Sequence, residues 1–289
     1  MKNYIKILFV LLMLPVISIA QEDSTEDSTN VKVKEQLERP AYESALLIDN
    51  PTNVLFAKNT LEVQMQHRFG LINETNTLAG IYGDGANIRI ALSYAIHDRL
   101  TIGFGTTKNS RLQDFNWKAA LLRQTRSNSM PVSVSYYGNF VIDARPESTF
   151  NLVQDRYSFF NQVIIAKRFS PKVSMQIAPS YSHFNAVGTD MENDMFAIAF
   201  GGRVKISPQT AIIFDYSQPI TKFDSDPKPG ISIGTEFSTS AHAFQIFLTN
   251  YSGIVPQQNY MKNQNDFFKK KVFTGDFLIG FNITRNYNF

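Results

Sequence analysis

The sequence contains no cysteine. Such a chain has no disulfide framework and no lipid anchor on a leading cysteine, so hydrogen bonds and packing must hold it together. Long apolar runs are missing as well. Beyond position 20 nothing approaches the roughly 18 apolar residues that a membrane helix needs. The longest runs are Val163 to Ala166 and Phe196 to Phe200, which excludes a helical membrane protein. There is little charge imbalance either. Setting aside Lys2 and Lys6 of the first twenty positions, 26 basic residues face 25 acidic ones, a net charge near +1. Neither nucleic acid nor a polybasic membrane tether is indicated. Histidine is scarce, and His67, His97, His183 and His242 show no metal-ligand spacing. Without thiolates a structural zinc site has little to build on, and no cofactor is expected.

What is present begins with a leader. Lys2 and Lys6 precede an apolar stretch, Ile7 to Ile17, and Ser18-Ile19-Ala20 supplies the small residues of a cleavage site. Residues 1–20 read as a secretory signal peptide cut after Ala20. Residues 21–40 open with a Ser/Thr/Glu/Asp tract that cannot bury a core and reads as disordered. Residues 41–58 are a lead-in with an apolar patch, Ala45 to Ile48, and a turn signal, Asp49-Asn50-Pro51. It is expected either to plug a barrel or to contact the periplasm. From residue 59 to 289 the pattern has period two. Leu61, Val63, Met65 and Phe69 alternate with Glu62, Gln64, Gln66 and Arg68, one apolar face against one strongly polar face. Ile88, Ile90, Leu92 and Tyr94 alternate with Arg89, Ala91 and Ser93; Leu100, Ile102 and Phe104 with Thr101, Gly103 and Gly105. Nine later strands follow, near residues 115–123, 132–140, 157–169, 173–184, 196–206, 211–216, 231–237, 243–250 and 277–287. The fourth, sixth and eleventh alternate poorly, so the count of about twelve is compatible with ten or fourteen.

The connections alternate in length. Long ones around residues 70–86, 143–156, 185–194, 217–229 and 251–276 are interleaved with tight ones at Ile96 to Arg99, Ser170-Pro171-Lys172, Ser207 to Thr210 and Ser238-Thr239-Ser240; the connection around residues 108–114 is of middling length and the one at residues 125–130 is short. Outer-membrane barrels have short periplasmic turns and long external loops, and an even strand count leaves both termini on the periplasmic side. Phe and Tyr make up nearly all of the 13% aromatic content, and the chain ends on Phe289. A β-sandwich also alternates, but it shows no long/short rhythm. The fold class expected is all-β, a closed antiparallel up-and-down transmembrane β-barrel exported to the outer membrane.

The sequence also resembles an uncharacterised β-barrel family, a domain of unknown function, of exported proteins in Gram-negative bacteria. The resemblance runs from about Tyr42 to the C-terminus. It is carried by the order of Thr60-Leu61-Glu62, His67-Arg68-Phe69-Gly70, Asn87-Ile88-Arg89, Ile96 to Leu100, Gly103 and Gly105, Pro131-Val132-Ser133, Gln176 to Tyr181, Gly201 with Arg203 and Lys205, and His242 to Asn250. It implies an outer-membrane barrel and no known activity or ligand.

Candidate chemistry is thin. His183 and Asn185 beside Ser182 suggest a hydrolase triad, but neighbours on one strand point to opposite faces, so Ser182 cannot serve His183. Asp190 to Asp194 is an acidic loop whose oxygens suit calcium but more often are simply solvated. Phe267 to Lys271 mixes aromatics with basic charge suited to lipopolysaccharide phosphates. The polar faces carry the residues expected to line a lumen: Glu62, Arg68, Arg89, Lys118, Arg203, Lys205, Asp215 and Glu236. The expected function is non-enzymatic, a narrow channel or small-solute binding and transport barrel. The alternative is a structural or interaction barrel with a filled lumen; an outer-membrane hydrolase ranks below both. Expected partners are outer-membrane lipid, lipopolysaccharide and the barrel-assembly machinery, with no nucleic acid.

Overall fold

The computed structural model describes residues 35–72, 78–268 and 276–289. The expected leader, most of the acidic tract and the basic cluster 269–271 lie outside the described residues. Twelve strands close into one antiparallel barrel: β3 (Thr60–Leu71), β4 (Asn87–His97), β5 (Leu100–Thr107), β6 (Leu112–Leu122), β7 (Ser133–Asp143), β8 (Tyr157–Arg168), β9 (Val173–Phe184), β10 (Asp194–Lys205), β11 (Thr210–Pro219), β12 (Gly230–Ser238), β13 (His242–Thr249) and β14 (Leu278–Asn288). Each pairs with its neighbours in sequence. The last strand closes on the first, from Gly280 opposite Arg68 to Asn288 opposite Thr60, so no edge is left to aggregate.

Alternation sorts the side chains. Ile90, Leu92, Ile102, Phe104, Phe115 and Ile233 stand on the outer surface, whereas Glu62, Gln64, Gln66, Arg68 and Arg89 are buried inside. Outside, aromatic rings pack across strands, as in Phe104 on Phe115 at 5.1 Å and Phe140 on Phe159 at 5.1 Å. Such a wall puts its apolar face where lipid would be and its polar face toward the lumen.

The connection rhythm is less strict than the sequence suggests. One connection at the long-loop end is only residues 108–111, and one at the tight-turn end, residues 123–132, is long. The reason for the second is visible. Residues 35–38 lie along it, with the amide of Glu38 donating to Gln124 O at 2.8 Å and that of Arg126 to Gln36 O at 2.9 Å. These last residues of the tract read as disordered are held by backbone pairing, which needs no hydrophobic core.

From that strap the chain enters the barrel at the tight-turn end, folds as a hairpin of β1 (Leu46–Leu47) and β2 (Asn50–Pro51), and returns to start β3. Tyr42, Leu47, Ile48, Asn50 and Thr52 are almost fully buried. A second segment fills the other end. The connection before β14, expected to face outward throughout, instead carries α1 (Pro256–Lys262), whose Gln257, Tyr260 and Met261 are buried. Pro256 at its first turn suits a helix start, where a missing N–H costs nothing. Two strands that alternate poorly are explained by these fillers. In β8 the inward Phe160 stacks on Tyr260 at 5.6 Å, and in β13 the inward Phe247 belongs to the apolar cluster around Leu47 and Ile48. The third, β6, has a register irregularity between Ala120 and Leu122.

Candidate functional site

The lumen is the site, and the lead-in hairpin is its centre. Its tip is strained: Ile48 has φ of 53°, a left-handed conformation that a β-branched residue rarely adopts. Wall side chains hold it there. Gln245 Oε1 accepts from the Ile48 amide at 3.3 Å, and Asn282 Nδ2 donates to Ile48 O at 2.8 Å. Gly201 makes room beside the tip, because a β-carbon there would lie 2.3 Å from Leu47 Cδ2.

The expected lumen charges point inward, and most meet the hairpin or each other. Arg68, fully buried, donates to Asp49 Oδ1 at 2.8 Å and to Asn282 Oδ1 at 3.1 Å, with its guanidinium 4.6 Å over the Phe247 ring. Asp49 Oδ2 also accepts from Ser232 Oγ at 2.6 Å and Thr249 Oγ1 at 2.9 Å. Asp215 takes the amide nitrogen of Asn50 on both carboxylate oxygens at 3.0 Å and the backbone N–H of Asp49 at 3.2 Å. Lys118 donates to the carbonyls of Ala45 and Val54, at 3.3 and 3.1 Å. Arg203 pairs with Glu236 at 2.7 Å, and Gln245 donates to the second Glu236 oxygen at 2.9 Å. Arg89 reaches across β5 to Asp114 in a two-point pair, at 2.7 and 2.8 Å. Gly105 lies beneath that bridge, where a β-carbon would fall 2.5 Å from Asp114 Oδ2.

Two expected residues stand apart. Glu62 accepts from Gln64 at 2.6 Å but forms no ion pair among the described residues, and its other oxygen is buried without a partner. Lys205 lies half-buried at the tight-turn rim and also forms no ion pair among the described residues. Of the expected lumen carboxylates, Asp215 and Glu236 sit on strands away from Arg68 and Arg89 and would have to reach them across the lumen. The structure corrects this: Asp49 of the hairpin and Asp114 of a nearby strand serve instead. Asp114 was readable from the alternation Asp114, Asn116, Lys118, but it was assigned to the preceding loop.

From the opposite end, Tyr260 of α1 donates to Asn50 Oδ1 at 2.6 Å, and Gln257 donates to Asn139 and Ser158. The two fillers therefore touch at Asn50. Solvent-sized space remains on both sides: about 360 Å³ at the tight-turn end, between Pro40, Phe56 and Leu122, and about 270 and 220 Å³ at the loop end. A smaller cavity of about 50 Å³ lies against Glu62, Gln66 and Lys118.

His67 stacks on Phe281 on the outer face, at 5.2 Å. His183 is held by Asp194 at 2.6 Å and Asn185 at 3.0 Å, while Ser182 on the same strand is buried on the lumen side. Among the described residues no three His, Asp or Glu side chains gather as a metal site.

A sequence-family comparison matches residues 42–287 to the membrane-bound β-barrel domain DUF5777. The chain belongs to that family. Among curated proteins none matches its sequence. The DUF5777 barrel is similar in fold to the NanC porin, with 7% identity, TM-score 0.50, and 78% of this chain and 98% of that chain covered. An outer membrane channel from Pseudomonas putida F1 gives 11% identity and TM-score 0.47, covering 81% and 97%. The KdgM porin gives 7% and 0.44, covering 80% and 99%. This DUF5777 chain is a membrane-bound β-barrel.

Proposed function

We propose that the protein is a small-solute channel of the outer membrane, closed in this conformation by its own residues 41–58. One observation carries the reading. The hairpin that interrupts the lumen is held at its tip by polar side chains on at least five strands, through Arg68, Asp215, Ser232, Gln245 and Asn282. Each of these groups is one that water satisfies once the hairpin leaves, so each neutral pair adds only about 0.5–1.5 kcal/mol to the cost of release, beside the exposure of Tyr42, Leu47 and Ile48. The positive φ of Ile48 pushes the same way, since such strain costs on the order of 1–3 kcal/mol and is relieved on release. Solvent-sized cavities on both sides of the hairpin leave it, with α1, as the interruption of an otherwise polar lumen.

A reversible lock tests this. Ser44 Oγ of the lead-in and Thr284 Oγ1 of β14 are 3.5 Å apart, and the sequence has no other cysteine. Ser44→Cys with Thr284→Cys should form one disulfide. In planar bilayers the unmodified protein should show low, intermittent conductance. The oxidised double variant should be silent, and reductant should restore the steps. A large, steady conductance from the unmodified protein, or steps indifferent to the disulfide, contradicts the reading.

A further inference from the structure

At the loop end two cavities meet at one lysine. The larger, about 270 Å³, is lined by Arg145, Phe150, Arg156, Phe184, Gln258 and Lys262. The smaller, about 220 Å³, adds Asn87, Asn109, Asn259 and Asn263 to the same Gln258 and Lys262. Two carboxylates, Asp143 and Asp155, also line the larger cavity, with Asp155 accepting from the Leu152 amide at 2.9 Å, against three cationic side chains. Arg145 is occupied by Asp143, which accepts from it at 2.7 and 2.9 Å. Arg156 and Lys262 form no ion pair among the described residues; they lie over aromatic rings, Arg156 at 5.1 Å from the Phe150 centroid and Lys262 at 4.1 Å from that of Phe184. The Arg156 Nε is buried and has no acceptor. Asn259 is 3% exposed, and its Nδ2 has none either. Desolvated donors without acceptors are costly, and an anion relieves that cost for several of them at once.

We infer that this mouth binds a small soluble organic anion, with a carboxylate or phosphate group held between Lys262 and Arg156 and further oxygens on the amides of Gln258 and Asn259. The volumes suit a molecule of a few to a dozen heavy atoms, at the small end of ligand pockets. A lipid phosphate offers the same headgroup chemistry, but Lys262 follows Tyr260 and Met261, which are buried inside the barrel, so its approach is from the aqueous mouth. Lys262 is also two residues from Tyr260, the residue that touches the plug at Asn50, so an anion here bears on the helix that meets the plug.

The site is measurable without a bilayer, so its failure and the failure of the channel reading are separate results. Full-length protein refolded in detergent is titrated calorimetrically with inorganic phosphate and with citrate at constant ionic strength. Saturable binding is expected for at least one. Arg156→Gln and Lys262→Gln should each weaken it about tenfold or more, the size expected for a hydrogen-bonded charge. Lys172→Gln, in a tight turn at the other end, should leave it unchanged. Heat-modifiable gel mobility reports folding; if Lys262→Gln does not fold, Arg156→Gln decides. No saturable binding, equal weakening by Lys172→Gln, or no weakening by either mouth variant overturns the site. Binding of lipopolysaccharide micelles that depends on Arg156 without any binding of phosphate or citrate overturns its assignment to a soluble anion.

Discussion

Replacing Asp49 with alanine should loosen the plug and leave the barrel standing. Arg68 is fully buried, and Asp49 is its one charged partner among the described residues. Removing one member of a buried ion pair costs about 3–5 kcal/mol, because the remaining charge is left uncompensated. Ser232 and Thr249 lose an acceptor but still bond each other at 2.7 Å, so they add little. The cost falls on the plugged conformation alone, since Arg68 regains water once the hairpin leaves the lumen. At about 1.4 kcal/mol per tenfold, the closed-to-open ratio should drop by roughly a hundredfold to a few thousandfold. Single-channel recording gives the open probability, and the heat-modifiable gel shift verifies that the barrel still folds. A second variant separates charge from packing. Arg68 lies over the Phe247 ring, so Asp49→Ala with Arg68→Met replaces the pair by apolar groups in an apolar setting, a change that is often neutral. The double variant should therefore leak less than Asp49→Ala alone. An Asp49→Ala channel that opens no more often than the unmodified protein refutes the argument, as does a double variant as leaky as the single.

Gly105→Ala should lower the thermal midpoint of the barrel by the equivalent of about 1–3 kcal/mol, the usual range for overpacking, because the added carbon meets both Asp114 and Arg89; an unchanged midpoint means that the pair tolerates displacement. Ile90 stands 49% exposed on the outer wall, and Ile90→Arg should cost about 2–4 kcal/mol if it lies near the bilayer midplane, abolishing the gel shift on refolding into vesicles. Normal folding of that variant would invert the assignment of faces. For topology, a cysteine at Asn193 should react with an impermeant maleimide on intact cells and one at Gln209 should not; the reverse labelling would place the long loops in the periplasm.

The fold was legible because a barrel wall repeats one rule. Where the inner face meets water or polar side chains, as in β3 and β4, alternation is clean and the residue faces read directly. Where the inner face meets another part of the chain, the rule fails locally. Phe160 and Ile164 of β8 and Phe247 of β13 are apolar and inward because they pack on α1 or the plug or line a wall-side apolar cluster, which blurred two of the three poorly alternating strands. Those blurred strands were thus a signal of a filled lumen. The site was legible in half. Period two identifies which charges point inward, but it says nothing of distance around the wall or along the lumen. Asp49 lay in a turn signal and Asp114 in a supposed loop, so the two carboxylates that neutralise Arg68 and Arg89 escaped notice.

Strand number alone leaves the function open, since twelve strands fall between small barrels filled by side chains and large ones with open channels. In this chain the difference is made up by sequence outside the wall: a hairpin from one end and a short helix from the other, meeting at Asn50 and Tyr260. The two fillers are not equivalent. The helix is anchored by stacking on Phe160, by packing around Met261 and by hydrogen bonds from Gln257 and Tyr260. At its tip the hairpin adds to its apolar cluster a set of hydrogen bonds and ion pairs that water can replace, with a strained residue at the turn. Leaving would also expose Tyr42, Leu47 and Ile48 of the hairpin, so what distinguishes it is the strained turn and its tether at the tight-turn end, the strap along residues 123–132. If the N-terminal filler moves to open the lumen, the strain at Ile48 favours the move and the burial of Tyr42, Leu47 and Ile48 opposes it, and the control of opening would come from the side on which that strap lies.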